Sequence, residues 1–308
     1  MGTDYTSRAA SPAAIIIAYF LVYVVWGSTY FFIGVALNGL PPFLLGAFRF
    51  TAAGLALLAL CRLRGECVWR PGLVWRSAVS GLVLLFVDMA VIMLAQRYVS
   101  SSLVAIVASS TAVWIMLLDV PAWRQTFRNP AAVAGILIGF GGVAMLYIEQ
   151  LGAAADAVHH ERGILLLMAG CVSWALGTLY TKYHSCGAEA IGGFSGSAWQ
   201  MLSAGMAFWL CSLLGGDVHD TDLGAVPRKA WGALAYLVIC GSVMAYTAYI
   251  WLLKVRPATE VATHAYVNPV VAVCIGAGFG GEQVTLVQLC GLAVILLSVM
   301  LVGLKRRN

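Results

Sequence analysis

The chain has 308 residues, of which 61% are apolar and only 10% are charged, and its mean hydropathy is +0.90. A soluble globular domain carries about 45–50% apolar and about 25% charged residues, so this composition excludes a soluble enzyme, a disordered protein and a nucleic-acid binder. It is the composition of an integral membrane protein. The net charge of +5 comes from basic residues scattered near the ends of apolar runs, which indicates no polyanionic partner.

Charged residues and glycine or proline pairs divide the chain into apolar runs that are each about as long as one membrane-spanning helix, for which about 20 residues are needed. The predicted spans are 13–37, 42–61, 77–96, 100–119, 130–148, 163–182, 192–214, 231–253, 257–280 and 285–304. Backbone groups in lipid must be paired, so these runs are predicted to be α-helices. We therefore expect an all-α integral membrane protein with ten transmembrane helices.

Lysine and arginine residues are distributed unevenly over the segments between these spans. If the N-terminus is cytoplasmic, 13 of the 18 basic residues lie in cytoplasmic segments, 4 lie in outer segments and one, Arg49, lies within a span. Cytoplasmic loops of membrane proteins carry such an excess. The distribution therefore predicts that both the N- and C-termini are cytoplasmic.

The two halves of the chain carry similar patterns. The matched positions are Trp26-Gly27 with Trp174-Ala175, Arg49 and Gly54 with Gln200 and Gly205, and 95–113 with 252–270. Because five is an odd number of spans, two such repeats must cross the membrane in opposite orientations, an arrangement typical of secondary transporters. We predict two inverted five-helix repeats, at 13–148 and 163–304.

The segment from Pro257 to Val271, followed by Gly280-Gly281-Glu282, resembles the last spans of EamA-type carriers of the drug/metabolite transporter superfamily. Weaker likenesses are Trp26-Gly27-Ser28 in span one, Pro42 to Arg49 in span two, and Arg97 to Ser101 before span four. The resemblance covers about residues 13–304 and implies a ten-helix carrier of two inverted EamA repeats that moves small organic solutes, often outward.

One position of span four departs from this family's pattern. The family usually has proline there, whereas this chain has Ala112, and Asn268-Pro269 keeps the pattern in span nine. We therefore expect that the helix break of span nine has no counterpart in the first half.

Three charged residues, Arg49, Asp88 and Glu260, fall inside the predicted spans, whereas Asp119 and Lys182 are the last residues of theirs. Charges at membrane depth are costly and mark functional sites by default. Arg49 and Asp88 each lie about eight residues, or about 12 Å, from the outer end of their spans. In one interpretation they form a buried pair that only fixes spans two and three. In the other, Arg49 binds an anionic group of the solute and Asp88 carries a proton.

Span nine carries Glu260, His264 and Asn268 at four-residue intervals, so the three side chains share one face, which is predicted to face the bundle interior. Pro269 frees a backbone carbonyl one turn earlier, which is tolerable in a membrane where it lines a cavity. Glu260, His264 and Pro269 are candidates for proton coupling or gating. The alternatives are an interfacial carboxylate paired with a nearby basic residue and a histidine that only packs.

Aromatic and polar side chains of other spans complete the predicted cavity. Such a cavity suits amphipathic or cationic solutes, through stacking and cation–π contacts. The predicted substrate-binding residues are Trp26, Ser28, Arg49, Ser110, Trp174, Tyr180, Gln200, Tyr246, His264 and Asn268, and the candidates for proton coupling or gating are Asp88, Glu260, His264 and Pro269. In the alternative interpretation the rings form the packed core and the serine hydroxyls bond helix carbonyls.

Two small-residue motifs, Gly135-x-x-x-Gly139 and Gly276-x-x-x-Gly280, fit close helix packing. Packing within one chain is favoured over dimerisation, so we expect a monomer. Glu282, just after the second motif, is expected to cap span ten or to pair locally.

These features predict a secondary active or facilitative transporter in the inner (plasma) membrane. It would export a small organic metabolite or drug-like compound by alternating access around a central cavity. Its expected partners are that solute and the lipid bilayer, with no nucleic acid. No Walker A motif occurs, and we expect no cofactor, no metal and no enzymatic activity. The alternatives are an intramembrane protease with Ser195 as nucleophile and His264 as base, and a non-transporting membrane receptor.

Overall fold

The computed structural model describes residues 11–123, 128, 130–152, 157–184, 193–256, 261 and 263–303. Regular structure within these ranges is helical, which confirms the all-α class for the described part. The main helices are α1 (Pro12–Leu37), α2 (Pro42–Leu63), α3 (Pro71–Ala95), α4 (Ser101–Leu118), α5 (Pro130–Gly152), α6 (Ala157–Tyr183), α7 (Phe194–Leu214), α8 (Arg228–Val255), α9 (His264–Gly280) and α10 (Leu286–Gly303). Glu260 lies outside the described residues.

Seven helices in the described ranges are long and apolar enough to cross a membrane, namely α1, α2, α3, α4, the segment Gly163–Tyr183 of α6, α7 and α8. Shorter apolar segments lie in α5 (Val133–Gly142), α9 (Val267–Gly280) and α10 (Leu286–Ser298). Large apolar side chains such as Met206 and Leu210 are exposed on α7. An apolar outer surface of this kind suits contact with lipid rather than water.

Local sequence sets where the helices begin and end. Proline occupies the first helical position at Pro12, Pro42 and Pro71, where its missing N–H costs nothing. Ser100 caps α4 by accepting a hydrogen bond from the backbone N–H of Leu103 at 3.3 Å. Gly281 ends α9 at φ 64°, a left-handed conformation that glycine adopts without strain.

Helices α2 and α7 form the most extensive helix–helix contact of the bundle. A methyl group on Gly54 of α2 would lie 2.7 Å from Cγ of Leu202, and one on Gly205 of α7 would lie 2.9 Å from the backbone nitrogen of Thr51. Both glycines are therefore needed for the helices to approach so closely. They occupy matched positions of the two halves of the sequence.

Matched contacts also connect α2 and α7 to their neighbours. The Nε of Arg49 on α2 donates to Oγ of Ser242 on α8 at 2.9 Å, and Nε2 of Gln200 on α7 donates to Oγ of Ser80 on α3 at 2.8 Å. Thus two residues matched in sequence make equivalent bonds to helices of the opposite halves.

Three helices widen locally into π-helix, at Leu21–Val25 of α1, Leu82–Val87 of α3 and Leu237–Tyr246 of α8. Such segments displace backbone carbonyls from the regular helical pattern and are frequent at functional sites. The side-chain amide of Asn268, on α9, donates to two backbone carbonyls of the π segment of α1, those of Val22 at 2.9 Å and Tyr23 at 2.8 Å. The Asn-Pro step of α9 therefore binds the π segment of α1.

Helix α4 is interrupted at Ser109-Ser110, between the regular segments Ser101–Ala108 and Thr111–Leu118. The hydroxyl of Ser109 donates to the carbonyl of Ile106 at 2.6 Å. The expectation that the first half lacks a helix break because it carries Ala112 is thus wrong. Two adjacent serines stand at the break instead of proline, and the hydroxyl of the first, Ser109, bonds a helix carbonyl.

Candidate functional site

A cavity with several polar residues in its wall lies beside the break of α4, in the middle of the bundle. It is enclosed by α1, α3, α4, α6 and α9, and it leaves about 50 Å³ for the centres of water molecules, enough for about four waters at roughly 10–15 Å³ each. The polar residues in its wall are Thr29, Tyr30, Asp88, Ser109, Thr111, His264 and Asn268. A void with polar and ionisable side chains in its wall, deep in an apolar bundle, marks a candidate site for a solute.

The structure brings together six of the residues predicted from the sequence. These cavity-lining residues are Trp26, Asp88, Trp174, His264, Asn268 and Pro269. Six further predicted residues, namely Ser28, Arg49, Ser110, Tyr180, Gln200 and Tyr246, do not line it. Each of these six has partners elsewhere in the bundle.

Trp26 is the centre of an aromatic cluster beside the cavity. Its ring centroid lies 5.2 Å from that of Trp174, 5.1 Å from Tyr249 and 5.6 Å from His264. His264 stacks on Trp26, and its Nδ1 donates to the carbonyl of Val261 at 2.9 Å, which leaves Nε2 as the acceptor of a neutral ring. The two tryptophans that matched in the sequence halves therefore meet in one wall.

Asp88 places a carboxyl group in the cavity wall. The residue is only 5% exposed, and among the described residues it accepts no hydrogen bond and forms no ion pair. A methyl group on Gly170 of α6 would lie 3.3 Å from Oδ1 of Asp88, so this glycine makes room for the carboxyl group. An unpaired acidic side chain at this depth is costly, which makes it a functional candidate.

Arg49 neither pairs with Asp88 nor lines the cavity, so neither sequence interpretation of this arginine matches its position. Its guanidinium bonds Ser242, lies 4.9 Å from the ring centroid of Phe50, and approaches Sδ of Met89 at 3.9 Å. Within the described ranges no carboxylate lies within ion-pair distance of it. These contacts hold the arginine between α2 and α8.

Gln200 and Tyr246 belong to a buried hydrogen-bond network instead of the cavity wall. The hydroxyl of Tyr246 donates to Oε1 of Gln200 at 2.9 Å, and Nε2 of Gln200 donates to Ser80. Ser80 in turn shares a 2.7 Å hydrogen bond with Thr181. The network connects α3, α6, α7 and α8 behind the aromatic cluster.

The other predicted residues away from the cavity are satisfied locally. Ser28 bonds the hydroxyl of Tyr236 at 2.7 Å, and the ring of Tyr180 stacks on His184 at 4.2 Å. Ser110 donates to Sγ of a neighbouring cysteine on α6. In the structure these three lie outside the cavity wall, since polarity alone does not tell which face of a helix a side chain occupies.

Three lining residues of α1 were not predicted: Thr29, Tyr30 and Ile33. They follow Trp26 by three, four and seven residues, so all four share one helix face. Helical spacing, counted from Trp26, could therefore have identified these three residues. The lining residues of α4, at positions 105, 108, 109 and 111, have similar helical spacing but are small, so no single one of them marked this face in the sequence.

A second, wider cavity opens at the end of the bundle where α1 and α3 finish and α4 and α8 begin. We call it the vestibule. It has a volume of about 660 Å³, and its polar lining residues are Asn38, Gln96, Ser100, Ser101, Lys229 and Glu282. Its size exceeds that of the central cavity by an order of magnitude.

Glu282 anchors the N-terminus of α4 beside the vestibule. Its carboxylate accepts hydrogen bonds from the backbone N–H groups of Ser101, at 3.2 Å, and Ser102, at 3.0 Å, and from both hydroxyls. The expectation that Glu282 caps span ten is wrong because Thr285 and Gln288 already cap α10 with a reciprocal pair of hydrogen bonds. The anion instead sits at the positive end of the α4 dipole.

An ion pair ties down the opposite end of α4. Nζ of Lys182 lies 3.0 Å from Oδ2 of Asp119, and the hydroxyl of Tyr183 donates to the same carboxylate. Both partners of Asp119 lie at the end of α6. Helix α4 is thus attached at each end, and the cavity lies beside the break between these attachments.

Ser195 and His264 do not form the pair that a protease would need. The hydroxyl of Ser195 donates to Oε2 of Glu66 at 3.3 Å, near the ends of α7 and α2. His264 instead contacts Trp26 and Tyr249 in the aromatic cluster. Among the described residues no hydrogen bond joins the serine to the histidine, whereas nucleophilic catalysis requires one.

The small-residue motifs pack within the chain. A methyl group on Gly139 would lie 2.6 Å from Oγ of Ser298, and one on Gly276 would lie 2.6 Å from Glu282. These glycines therefore allow close contacts of α5 with α10 and of α9 with the Glu282 turn.

Comparison with known proteins gives consistent matches over most of the chain. A model of the EamA-like transporter family matches residues 13–148 and 161–304. YedA of Escherichia coli, named an uncharacterized inner membrane transporter, is 33% identical over 294 residues, which cover 94% of this chain and 90% of that protein. A probable amino-acid metabolite efflux pump of Salmonella typhimurium is 26% identical over 280 residues, which cover 90% of each chain.

One solved crystal structure shares the fold. It superimposes with a TM-score of 0.66 at 20% sequence identity and covers 95% of this chain and 98% of the other. The helical bundle described above is therefore an arrangement already known from experiment.

Proposed function

We propose, since this chain belongs to the EamA-like transporter family, that it is a carrier of ten transmembrane helices in two inverted repeats, 13–148 and 163–304, with both termini cytoplasmic. The chain is a multi-pass inner-membrane transporter. The inverted arrangement is supported by the equivalent bonds Arg49–Ser242 and Gln200–Ser80, which connect opposite halves, and by the contact between Trp26 and Trp174.

The proposed cargo is a small organic metabolite or drug-like compound, moved outward. The name of the Salmonella typhimurium relative, an amino-acid metabolite efflux pump, supports both the class of solute and the direction. In the predicted topology the vestibule opens on the outer side, where an exporter releases its cargo.

The proposed mechanism is alternating access around the central cavity. The observation that carries it is the position of this cavity beside the break of α4, between the Glu282 attachment at one end and the Asp119–Lys182 attachment at the other. Release of one attachment at a time would open the cavity to one side at a time, with the two halves of α4 moving about the interruption at Ser109-Ser110.

Proton coupling is the proposed energy source, with Asp88 and His264 in the cavity wall as the proton-carrying groups. Both can gain or lose a proton, and both contact space that water can enter. Glu260 remains a third candidate on sequence grounds.

The test is solute counterflow into liposomes that contain the purified protein, with labelled amino acids, sugars, nucleosides and cationic drugs, at several pH values. We expect exchange of at least one class, lowered about tenfold or more by Trp26→Ala because the cavity wall is lost. The matched control is Met206→Ala, whose side chain is 73% exposed on the outer face of α7.

Absence of flux for every class from folded protein would contradict transport and favour a receptor. Cleavage of a membrane-embedded reporter peptide without flux would favour the protease.

A further inference from the structure

The charge balance of the central cavity is one-sided. Asp88 is the acidic residue in its wall, and no lysine or arginine of the described chain lines it. The nearest buried cation, Arg49, is held by Ser242. Lys182 is paired with Asp119 at one end of the bundle, and Lys229 lies in the vestibule. The carboxyl group therefore lacks a basic partner within the described part of the protein.

Other titratable groups around Asp88 do not supply a positive charge. They are Tyr30 on α1, Cys171 on α6, Tyr249 on α8 and His264 on α9. Tyrosine and cysteine are neutral or negative, and among the described residues His264, whose Nδ1 donates to the carbonyl of Val261, makes no hydrogen bond or ion pair with Asp88. A charge on Asp88 thus has to be balanced by something that enters the cavity.

Two tryptophan rings line the same cavity as this carboxyl group. The rings of Trp26 and Trp174 lie 5.2 Å apart and tilt by 59°, and both line the same void. Tryptophan faces attract ammonium groups more strongly than other aromatic rings do. A cavity whose wall holds a carboxyl group and two tryptophan rings is therefore chemically suited to an organic ammonium ion.

We propose that the transported solute presents a protonated amino group to Asp88, with Trp26 and Trp174 beside it. This inference rests on the proposed transport function and names the class of its substrate. An ammonium group satisfies the carboxylate that the protein leaves unpaired, whereas an anionic group would be repelled and a neutral one would leave the carboxylate uncompensated. A proton and an ammonium group neutralise the same site, so they compete for it.

The size of the cavity fits the head group alone. An ammonium group is about as large as a water molecule, and the void has room for about four. The remainder of a metabolite requires the surrounding helices to separate. Recognition of the amine would therefore be coupled to the movement that alternating access demands.

The experiment measures binding of three probes of similar shape to the purified protein: L-phenylalaninamide, a cation; L-phenylalanine, a zwitterion; and 3-phenylpropanoate, an anion. Quenching of tryptophan fluorescence reports binding, and Trp26→Phe identifies the signal of the cavity. In the wild type, the two amines should bind at least about tenfold tighter than the anion, because only they satisfy the carboxylate.

Asp88→Asn should abolish this preference, and Asp88→Glu, which keeps the charge, should retain it. Asp220→Asn, which changes an exposed aspartate outside the cavity, should behave as the wild type. The proposal is overturned if the wild type binds the anion as tightly as the amines, if it binds none of the probes, or if folded Asp88→Asn retains the preference. The affinities of the wild type for the three probes test the proposal even if Asp88→Asn does not fold.

Counterflow of the same probes separates this inference from the transport function. If 3-phenylpropanoate is transported and Asp88→Asn does not change that transport, recognition of an amine by Asp88 is contradicted while the transport function is supported. If the amines bind but no solute shows counterflow, the proposed transport function is contradicted instead.

Discussion

Three consecutive residues of α1 have different physical roles. Trp26 supplies an aromatic wall of the cavity, Gly27 lets α9 approach, and Ser28 bonds Tyr236 on α8. A methyl group on Gly27 would lie 3.0 Å from Cβ of Val271 and 3.1 Å from the backbone of the residue before Pro269. The Trp-Gly-Ser motif is therefore explained by contacts that only the folded bundle displays.

Gly27→Ala should destabilise the protein, because neither α1 nor α9 can yield without disturbing the bond from Asn268 to the π segment. Overpacking of this kind costs about 1–3 kcal/mol. We expect a thermal unfolding midpoint several degrees lower in detergent micelles. The control is Gly141→Ala, where a methyl group meets nothing within 4 Å. An unchanged midpoint for Gly27→Ala would show that the helices are not in close contact there.

Gln200→Ala should also destabilise the protein, because it leaves the hydroxyls of Tyr246 and Ser80 without their amide partner. Loss of a buried partner costs about 1–3 kcal/mol. The matched control on the same helix is Ser197→Ala, which removes a buried hydroxyl that has no hydrogen-bond partner among the described residues. Thermal unfolding that ranks Ser197→Ala as the more damaging change would refute the network.

Helix α4 is the element on which the proposed mechanism depends. It is attached at Ser101 and Ser102 by Glu282, attached at Asp119 by Lys182, and broken between these points at Ser109-Ser110. A helix held at both ends and interrupted in the middle can pivot about the interruption. The cavity lies on the inner side of that pivot.

Glu282→Gln should loosen the vestibule end of α4 without altering its shape. A neutral amide has one acceptor oxygen, so it cannot hold two backbone N–H groups and two hydroxyls as the carboxylate does. We expect hydrogen–deuterium exchange at the start of α4 to become about tenfold faster or more, since each 1.4 kcal/mol is a factor of ten. Exchange in α7 should not change, and exchange at the start of α4 equal to that of the wild type would contradict the anchoring role.

Sequence patterns predicted the helical elements well and their irregularities poorly. Apolar length and punctuation mark where Pro42–Leu63 begins and ends, but a π segment such as Leu82–Val87 keeps the same apolar composition as an α-helix. The break at Ser109-Ser110 was missed because proline was taken as the signal for it. The cap of α10 was likewise expected from Glu282, whereas Thr285 and Gln288 form the capping pair.

At the scale of the molecule, half of the predicted cavity was recovered because depth and chemistry can be read from the sequence. Trp26, Asp88 and His264 are unusual at their depth, and all three line the void. Arg49 is equally unusual, yet it lies elsewhere, because the side of a helix on which a charge is satisfied depends on packing partners such as Ser242 on α8. Those partners are distant in the sequence.

The central claim is that one cavity is reached alternately from both sides of the membrane. It is tested most directly by labelling Ala108→Cys, a cavity-lining position, in a transport-competent background without the eight native cysteines. A membrane-impermeant thiol reagent is applied to right-side-out and to inverted vesicles. We expect modification from both sides, whereas Asp220→Cys, in a loop that the proposed topology places outside, should react from one side only. Modification of the Ala108 position from a single side, or from neither, would contradict alternating access.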